Sequence, residues 1–348
     1  MQTSTRAINW TEQGLVPDSV IRLGIRKLLK ARSESLYSGG CENMALQKTR
    51  FVATMDSSEI ALLPQLANEQ HYELPARFFQ QALGTQNKYS CCYWDEDCED
   101  LDRAETNALR ITCERAGLED GMNILELGCG WGSLTLWMAR HYPQSRIVAV
   151  SNSSSQRDHI NQQALLTDLG NIEVVTADMN DFSPARQFDR VVSLEMFEHM
   201  RNYRALFRRI DDWLRPGGRF FMHVFCHRDV PYAFEDRDAS DWMSRHFFSG
   251  GMMPSDDLPL VFQDSLKFVE QWRWDGRHYE KTANAWLANM DAREDITRPL
   301  LAGCYGPEEV TKWLMRWRMF FMACAELFGY DRGQQWWVSH YLFEKPAV

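Results

Sequence analysis

From about residue 104 onward, short apolar runs alternate with amphipathic stretches, which leaves few folds open: strands joined by crossover helices build a parallel sheet. A helix over 104–117 precedes a first strand, Asn123 to Leu127, which ends at Gly128. Helical periodicity then runs through Leu134, Trp137 and Met138. Arg146 to Val150 reads as a second strand, and Ser153 is placed to cap a helix running to about Leu169. Glu173 to Thr176 and Asp189 to Leu194 supply the third and fourth strands. A helix from Tyr203 to Leu214 stops at Arg215-Pro216-Gly217-Gly218, and Arg219 to Phe225 resumes as a buried strand. Helices and two late strands close the chain, the last from Trp336 to Phe343.

The chain has 348 residues, 45% apolar and 25% charged, enough for a sizeable core and too apolar for a disordered chain. Thirty-eight basic against 48 acidic residues give a net charge of −10, with no long basic tract, so nucleic acid is not an expected partner. The apolar run Met319 to Ala325, bracketed by Arg318 and Glu326, is far short of the ~20 residues a membrane span needs. The N-terminus has no apolar stretch behind Arg6 to read as a secretory signal, and a cytoplasmic protein is expected. Its 9 cysteines show no C-x-x-C pairing, which fits free thiols, and no metal-ligand cluster is visible. Two regions follow: a helical, Gly-poor 1–103, and a core over 104–348 carrying an insertion at about 229–330. That insertion opens on an Asp-, Pro- and Gly-rich stretch, 229–265, over the sheet's ligand-binding edge. In 20–32, Ile21, Ile25, Leu28 and Leu29 share a face opposite Arg22, Arg26, Lys27 and Lys30, an amphipathic helix expected to face the core rather than a lipid surface.

The first strand-to-helix turn reads Glu126-Leu127-Gly128-Cys129-Gly130-Trp131-Gly132, a nucleotide-binding position at the carboxyl end of a strand. Its spacing differs from the dinucleotide pattern. The second strand ends in Val150-Ser151-Asn152 without an acid, so an NAD reading loses its ribose anchor. With Glu126 on the strand, the turn points instead to S-adenosylmethionine, which has no pyrophosphate to cradle.

The segments KYSCCYWD (88–95), ILELGCGWGSLTL, VSNSSSQ, FDRVVSLEMFEHM, LRPGGRFFMHVFCH and WLMRWRMFFMACAELFGYDRGQQWW, in this order, closely resemble the cyclopropane-fatty-acid-synthase superfamily of methyltransferases over roughly residues 70–348. NKYSCCYW, EMFEHMRNY, HFFSGGMMPS and AELFGY look most like its coclaurine N-methyltransferase branch. The resemblance implies an α/β fold of the class I S-adenosylmethionine-dependent methyltransferase, Rossmann-like kind: a mostly parallel seven-stranded sheet with helices on both faces, a helical N-terminal lid and an inserted helical and loop segment. It implies S-adenosylmethionine as cofactor and S-adenosylhomocysteine as its product. Tyr89 and Ser90 would meet the methionine carboxylate end, Gly128 and Gly130 would line the cofactor by backbone, Ser151 and Gln156 would hold the ribose, and Asp178 and Met179 would bracket the adenine.

The fourth strand delivers Glu195-Met196-Phe197-Glu198-His199 to its carboxyl end. If the chain turns helical there at once, Glu195 and His199 share a face. An alkylamine with a pKa of ~10 is protonated at neutral pH and must lose that proton before it can be methylated. His199 is read as the base and Glu195 as the amine-positioning group, with Glu198 as a second acid at the amine site. The lipid cyclopropane synthases resemble the chain through Met196 to His199 but carry glycine where Glu195 stands. Their bicarbonate site looks matched by Cys91, Glu198 and His223, whereas its tyrosine falls in Met319-Phe320-Phe321, which holds none. A redox or nucleophilic role for Cys91-Cys92 is set aside in favour of apolar packing.

Helical spacing explains Trp313, Trp317, Phe320 and Phe321 as core, and the excess of aromatic residues beyond them suggests a pocket wall. By resemblance, Phe320, Phe321, Tyr330 and Trp336 are the expected contacts of a hydrophobic, aromatic amine. The expected function is N-methylation of such an amine. A lipid methyl or methylene transferase and a cofactor-binding pseudoenzyme stay open beside it, as do monomer and homodimer.

Overall fold

The computed structural model describes residues 2–63, 74–237 and 241–347; the parts of the N-terminal region and of the insertion that fall at 64–73 and 238–240 lie outside the described residues. Nine strands are described: β1 (Asn123–Leu127), β2 (Arg146–Ser151), β3 (Ile172–Thr176), β4 (Phe188–Leu194), β5 (Leu214–His227), β6 (Tyr232–Ala233), β7 (Met252–Met253), β8 (Lys267–Trp274) and β9 (Trp336–Glu344). Seven of them form one sheet in the order β3-β2-β1-β4-β5-β9-β8, and β6 and β7 pair separately. The first five of the seven run parallel, while β9 runs antiparallel to both β5 and β8. The chain leaves β1 toward β2 and returns from β3 to β4, so the order reverses between β1 and β4. A crevice opens at the carboxyl ends of the strands at such a reversal.

The inner strands are apolar on both faces because helices cover both. Ile124, Val192 and Phe221 pack under helices Leu101–Ala116 and Ser133–His141, through Leu109, Cys113, Leu134 and Met138. Their neighbours Leu125, Val191 and Phe220 point the other way, onto Leu206, Phe207 and Ile210 of helix Tyr203–Trp213. Ser153 caps the helix after β2, which ends at Leu166, three residues short of the expected Leu169. The helix after β4 gives way at Leu214 directly to β5, which is longer than expected at both ends.

Helices Gln2–Glu12 and Asp18–Leu36 pack on the long helix Val310–Gly329. The amphipathic reading of 20–32 holds in part. Ile21 is buried, but Leu28 is 53% exposed, and two residues of the basic side, the half-buried Arg22 and the exposed Arg26, both bond the Glu326 carboxylate. No helix among the described residues is long and apolar enough to cross a membrane.

Candidate active site

A cavity, partly open to solvent, occupies the crevice between the carboxyl ends of β2, β1 and β4. Its floor is the glycine turn. Gly128 and Cys129 both donate their N–H to the carbonyl of Val150, which ties the turn to β2. Gly128 stands at φ 78°, and a Cβ there would lie 2.7 Å from that of Met196, so any larger residue is excluded twice over. Gly130, at φ 52°, has no protein atom within 4 Å of the Cβ position. A side chain there would fill the cavity itself.

At the β2 end, the Ser151 hydroxyl donates to Oε1 of Gln156 at 2.5 Å, which leaves the Gln156 amide nitrogen a buried donor with no partner among the described residues. The Trp131 indole nitrogen and the Ser133 hydroxyl, also on the lining, are in the same state. Buried polar atoms are ordinarily hydrogen-bonded, so these three mark where a bound molecule carries polar atoms of its own. Met179 lines the cavity as expected, and Ala177 beside it. Asp178 does not, because the chain turns at the end of β3 and its carboxylate accepts the N–H of Asn180 at 2.8 Å.

At the β4 end stands Glu195. The expected helical start is not there: Glu195 has φ 47°, a left-handed backbone that costs about 1–3 kcal/mol for a non-glycine residue, and only Phe197–His199 forms a short 3-10 turn. This geometry aims the Glu195 carboxylate at three donors: the Cys91 N–H at 2.8 Å, the Tyr279 hydroxyl at 2.7 Å and His223 Nε2 at 3.1 Å. Burial pushes this carboxyl up, but the His223 bond, the charge of Lys88 and the Cys91 N–H outweigh it and hold it below its ordinary value. Glu195 is therefore ionised. The tyrosine of this site is Tyr279, from helix Gly276–Ala292, and not a residue of 319–321.

His199 lines the same end and stacks on Phe248 at 4.9 Å between ring centres. Burial pushes its imidazole down to about 4, against the pull of Glu195. It is neutral at physiological pH. Glu198 departs from expectation: it is fully buried behind the wall, accepts the Phe225 N–H at 2.7 Å, and is held well above the ordinary range by burial and by the Glu195 charge. It is a neutral structural group there and does not line the cavity.

The four aromatic residues expected on the acceptor wall lie elsewhere. Phe320 stacks on Phe247 at 4.5 Å, Phe321 sits among Trp286, Trp317 and Phe320, and Trp336 donates its indole N–H to the Tyr232 hydroxyl beside Tyr330. They glue the inserted helices to one another and to β9, because a long helix with aromatic residues on several faces buries most of them in packing. Tyr89 and Ser90 do line the cavity, and so does Lys88, which motif reading passed over.

Known proteins resemble this chain in sequence and fold. Residues 64–336 match the family model described as mycolic acid cyclopropane synthetase. The chain belongs to this family. It is 36% identical to the (S)-coclaurine N-methyltransferase of Thalictrum flavum subsp. glaucum over 96% of its own length and 94% of that protein. It is 31% identical to the cyclopropane-fatty-acyl-phospholipid synthase of Escherichia coli (strain K12), over 78% of its length and 67% of that protein. Its fold superposes with a TM-score of 0.95 on the crystal structure of a coclaurine N-methyltransferase bound to N-methylheliamine and SAH, at 35% identity, covering 98% of this chain and 99% of that one. The family member is an S-adenosylmethionine-dependent methyltransferase with the class I, Rossmann-like fold. Its own residues fit that cofactor: a glycine floor where a Cβ at Gly130 would meet no protein atom within 4 Å, and buried donors on Gln156, Trp131 and Ser133 that have no partner among the described residues.

Proposed function

We propose that the protein moves the methyl group of S-adenosylmethionine to the nitrogen of a hydrophobic, aromatic small-molecule amine. One observation carries this reading: an ionised carboxylate, Glu195, and a neutral imidazole, His199, line the same end of one cavity. The bound cofactor supplies an electrophilic methyl on a sulfonium. The chain's own task is to present the amine as a free base. Glu195 draws the ammonium in from water and holds it. The low-dielectric cavity disfavours the ammonium form of the amine, as it does the protonated form of His199. His199 then takes the amine's proton on a ring nitrogen, leaving the nitrogen lone pair for the new N–C bond.

Two further observations support an amine over a lipid acceptor. The Cys91 N–H and His223 are spent on the Glu195 side chain, so they stand committed to a carboxylate of the protein itself. The wall beside His199 is apolar and built from Leu63, Met196 and Met200, with the His199–Phe248 stack behind it, which suits a flat hydrophobic ring. The relatives named as N-methyltransferases of coclaurine point the same way.

The test is a panel of primary, secondary and tertiary amines, isoquinolines and phenylalkylamines among them, incubated with S-adenosylmethionine beside unsaturated phospholipid vesicles and read by mass. Methylated aromatic amine without lipid product is expected. Aliphatic amines of equal basicity turned over as well as the aromatic ones would remove the aromatic specificity, and lipid product alone would overturn the reading.

A further inference from the structure

Lys88 is among the most deeply buried polar side chains of the protein, at 1% exposure, and it lines the cavity. Its ammonium donates to the Ser90 hydroxyl and to the carbonyl of Cys91, each at 2.6 Å. An ammonium has three donors, so one is left. No carboxylate among the described residues lies within 4 Å of it, and the nearby Glu195 oxygens already receive three other donors. Glu195 acts on this ammonium through space without touching it, so a donor is left unmet at the cavity, and a bound anion in direct contact completes the position.

The anion is identified by the order of the cavity. Ser151 and Gln156 stand at the end of β2, the glycine turn follows on β1, and Glu195 follows on β4, with Lys88 tied to the β4 side through Cys91. A nucleoside seated at the β2 end extends its other end across the turn toward β4. The only anionic group of S-adenosylmethionine is the α-carboxylate at that other end. Among the described lining residues Lys88 is the sole lysine or arginine.

We propose that Lys88 anchors the α-carboxylate of the cofactor, fixing the amino-acid end beside Glu195 while the glycine turn and Gln156 hold the nucleoside end. The inference rests on the cofactor alone and does not depend on which amine is methylated.

The experiment is calorimetry on the full chain with two probes, S-adenosylhomocysteine and 5′-methylthioadenosine, which share adenosine and sulfur but differ in the amino-acid tail. Wild type prefers S-adenosylhomocysteine. Lys88→Met lowers its affinity about 10- to 100-fold and leaves 5′-methylthioadenosine within about threefold. Lys88→Gln keeps a donor for Ser90 and Cys91 without the charge, and it gives the same selective loss should the methionine variant fail to fold. Equal losses for both probes would mean that Lys88 only staples residues 88–91. Unchanged binding of S-adenosylhomocysteine to either folded variant, or no preference in wild type, would also overturn the proposal.

Discussion

At the residue scale, the pKa values of the β4 end decide how activity responds to pH. His199 is held down to about 4, so it has already lost its proton through the whole neutral range and cannot add an ionisation there. Because Glu195 captures the ammonium and His199 takes its proton, kcat/KM is expected to stay level between about pH 4 and the amine's own ionisation, to fall above it as the ammonium is lost, and to fall on the enzyme's account only as pH approaches 4. Two acceptors whose basicities differ by about two units should give upper limbs displaced by that same amount. A break near 6.5 common to both would return His199 to its ordinary value. His199→Ala should lower turnover by about 10²- to 10⁴-fold while S-adenosylhomocysteine still binds as in wild type, since a base acts on the proton and not on the cofactor. Both glycines hold a left-handed backbone, so a substitution at either costs stability, but only at Gly130 does the side chain enter open space. Gly130→Val should abolish S-adenosylhomocysteine binding, because its side chain enters space that no protein atom occupies. Gly128→Ala meets Met196 at 2.7 Å and should lower the melting temperature as well. The neighbouring thiols of Cys91 and Cys92 are pushed up by burial, so neither is a nucleophile at physiological pH.

At the element scale, the loop that brings Lys88, Tyr89 and Ser90 to the cavity is pinned from behind. Glu105, on helix Leu101–Ala116, accepts the backbone N–H groups of Gly84 (2.9 Å), Gln86 (2.7 Å) and Lys88 (3.1 Å), and Asp102 accepts that of Thr85 at 2.8 Å. Burial raises the Glu105 carboxyl to about 7, against these bonds and the Lys88 charge. Between its unfolded value of ~4.3 and 7, the folded protein keeps a proton that the unfolded chain has lost. This contribution is therefore fully present at low pH and is lost as pH rises to 7. Glu105→Gln removes it. In urea unfolding, wild type should lead the variant by more at pH 5 than at pH 8, and a lead that grows with pH would contradict the assignment. The same variant should weaken S-adenosylhomocysteine binding through the loop. Local patterning foretold the helix but not this grip, which depends on side-chain and backbone atoms brought together by folding.

At the scale of the whole molecule, the N-terminal helices are fastened to helix Val310–Gly329 by acid–arginine pairs. Arg316 meets Glu12, Arg22 and Arg26 meet Glu326, and Arg318 spans Asp18 on one side and Asp291 of helix Gly276–Ala292 on the other. Arg318→Ala cuts two links at once and should cost about 1–2 kcal/mol, given the partial exposure of its partners. Hydrogen exchange should then speed up in Asp18–Leu36 and stay unchanged in β1 and β4; acceleration throughout would mean a general loss of core instead. The sequence by itself determined the parallel strands, the glycine turn and the cluster from Glu195 to His199, since hydrophobic period and backbone freedom are local properties that a few consecutive residues express. Only the tertiary structure decided what those residues meet. Tyr279, 84 positions from Glu195, closes on its carboxylate with no signal in the motif. A left-handed turn replaced the helix that would have put Glu195 and His199 on one face. Phe320, Phe321 and Trp336 went to packing and Lys88 to the cavity, because which face of an aromatic-rich helix is covered, and which charge is buried, depends on partners far away in the chain.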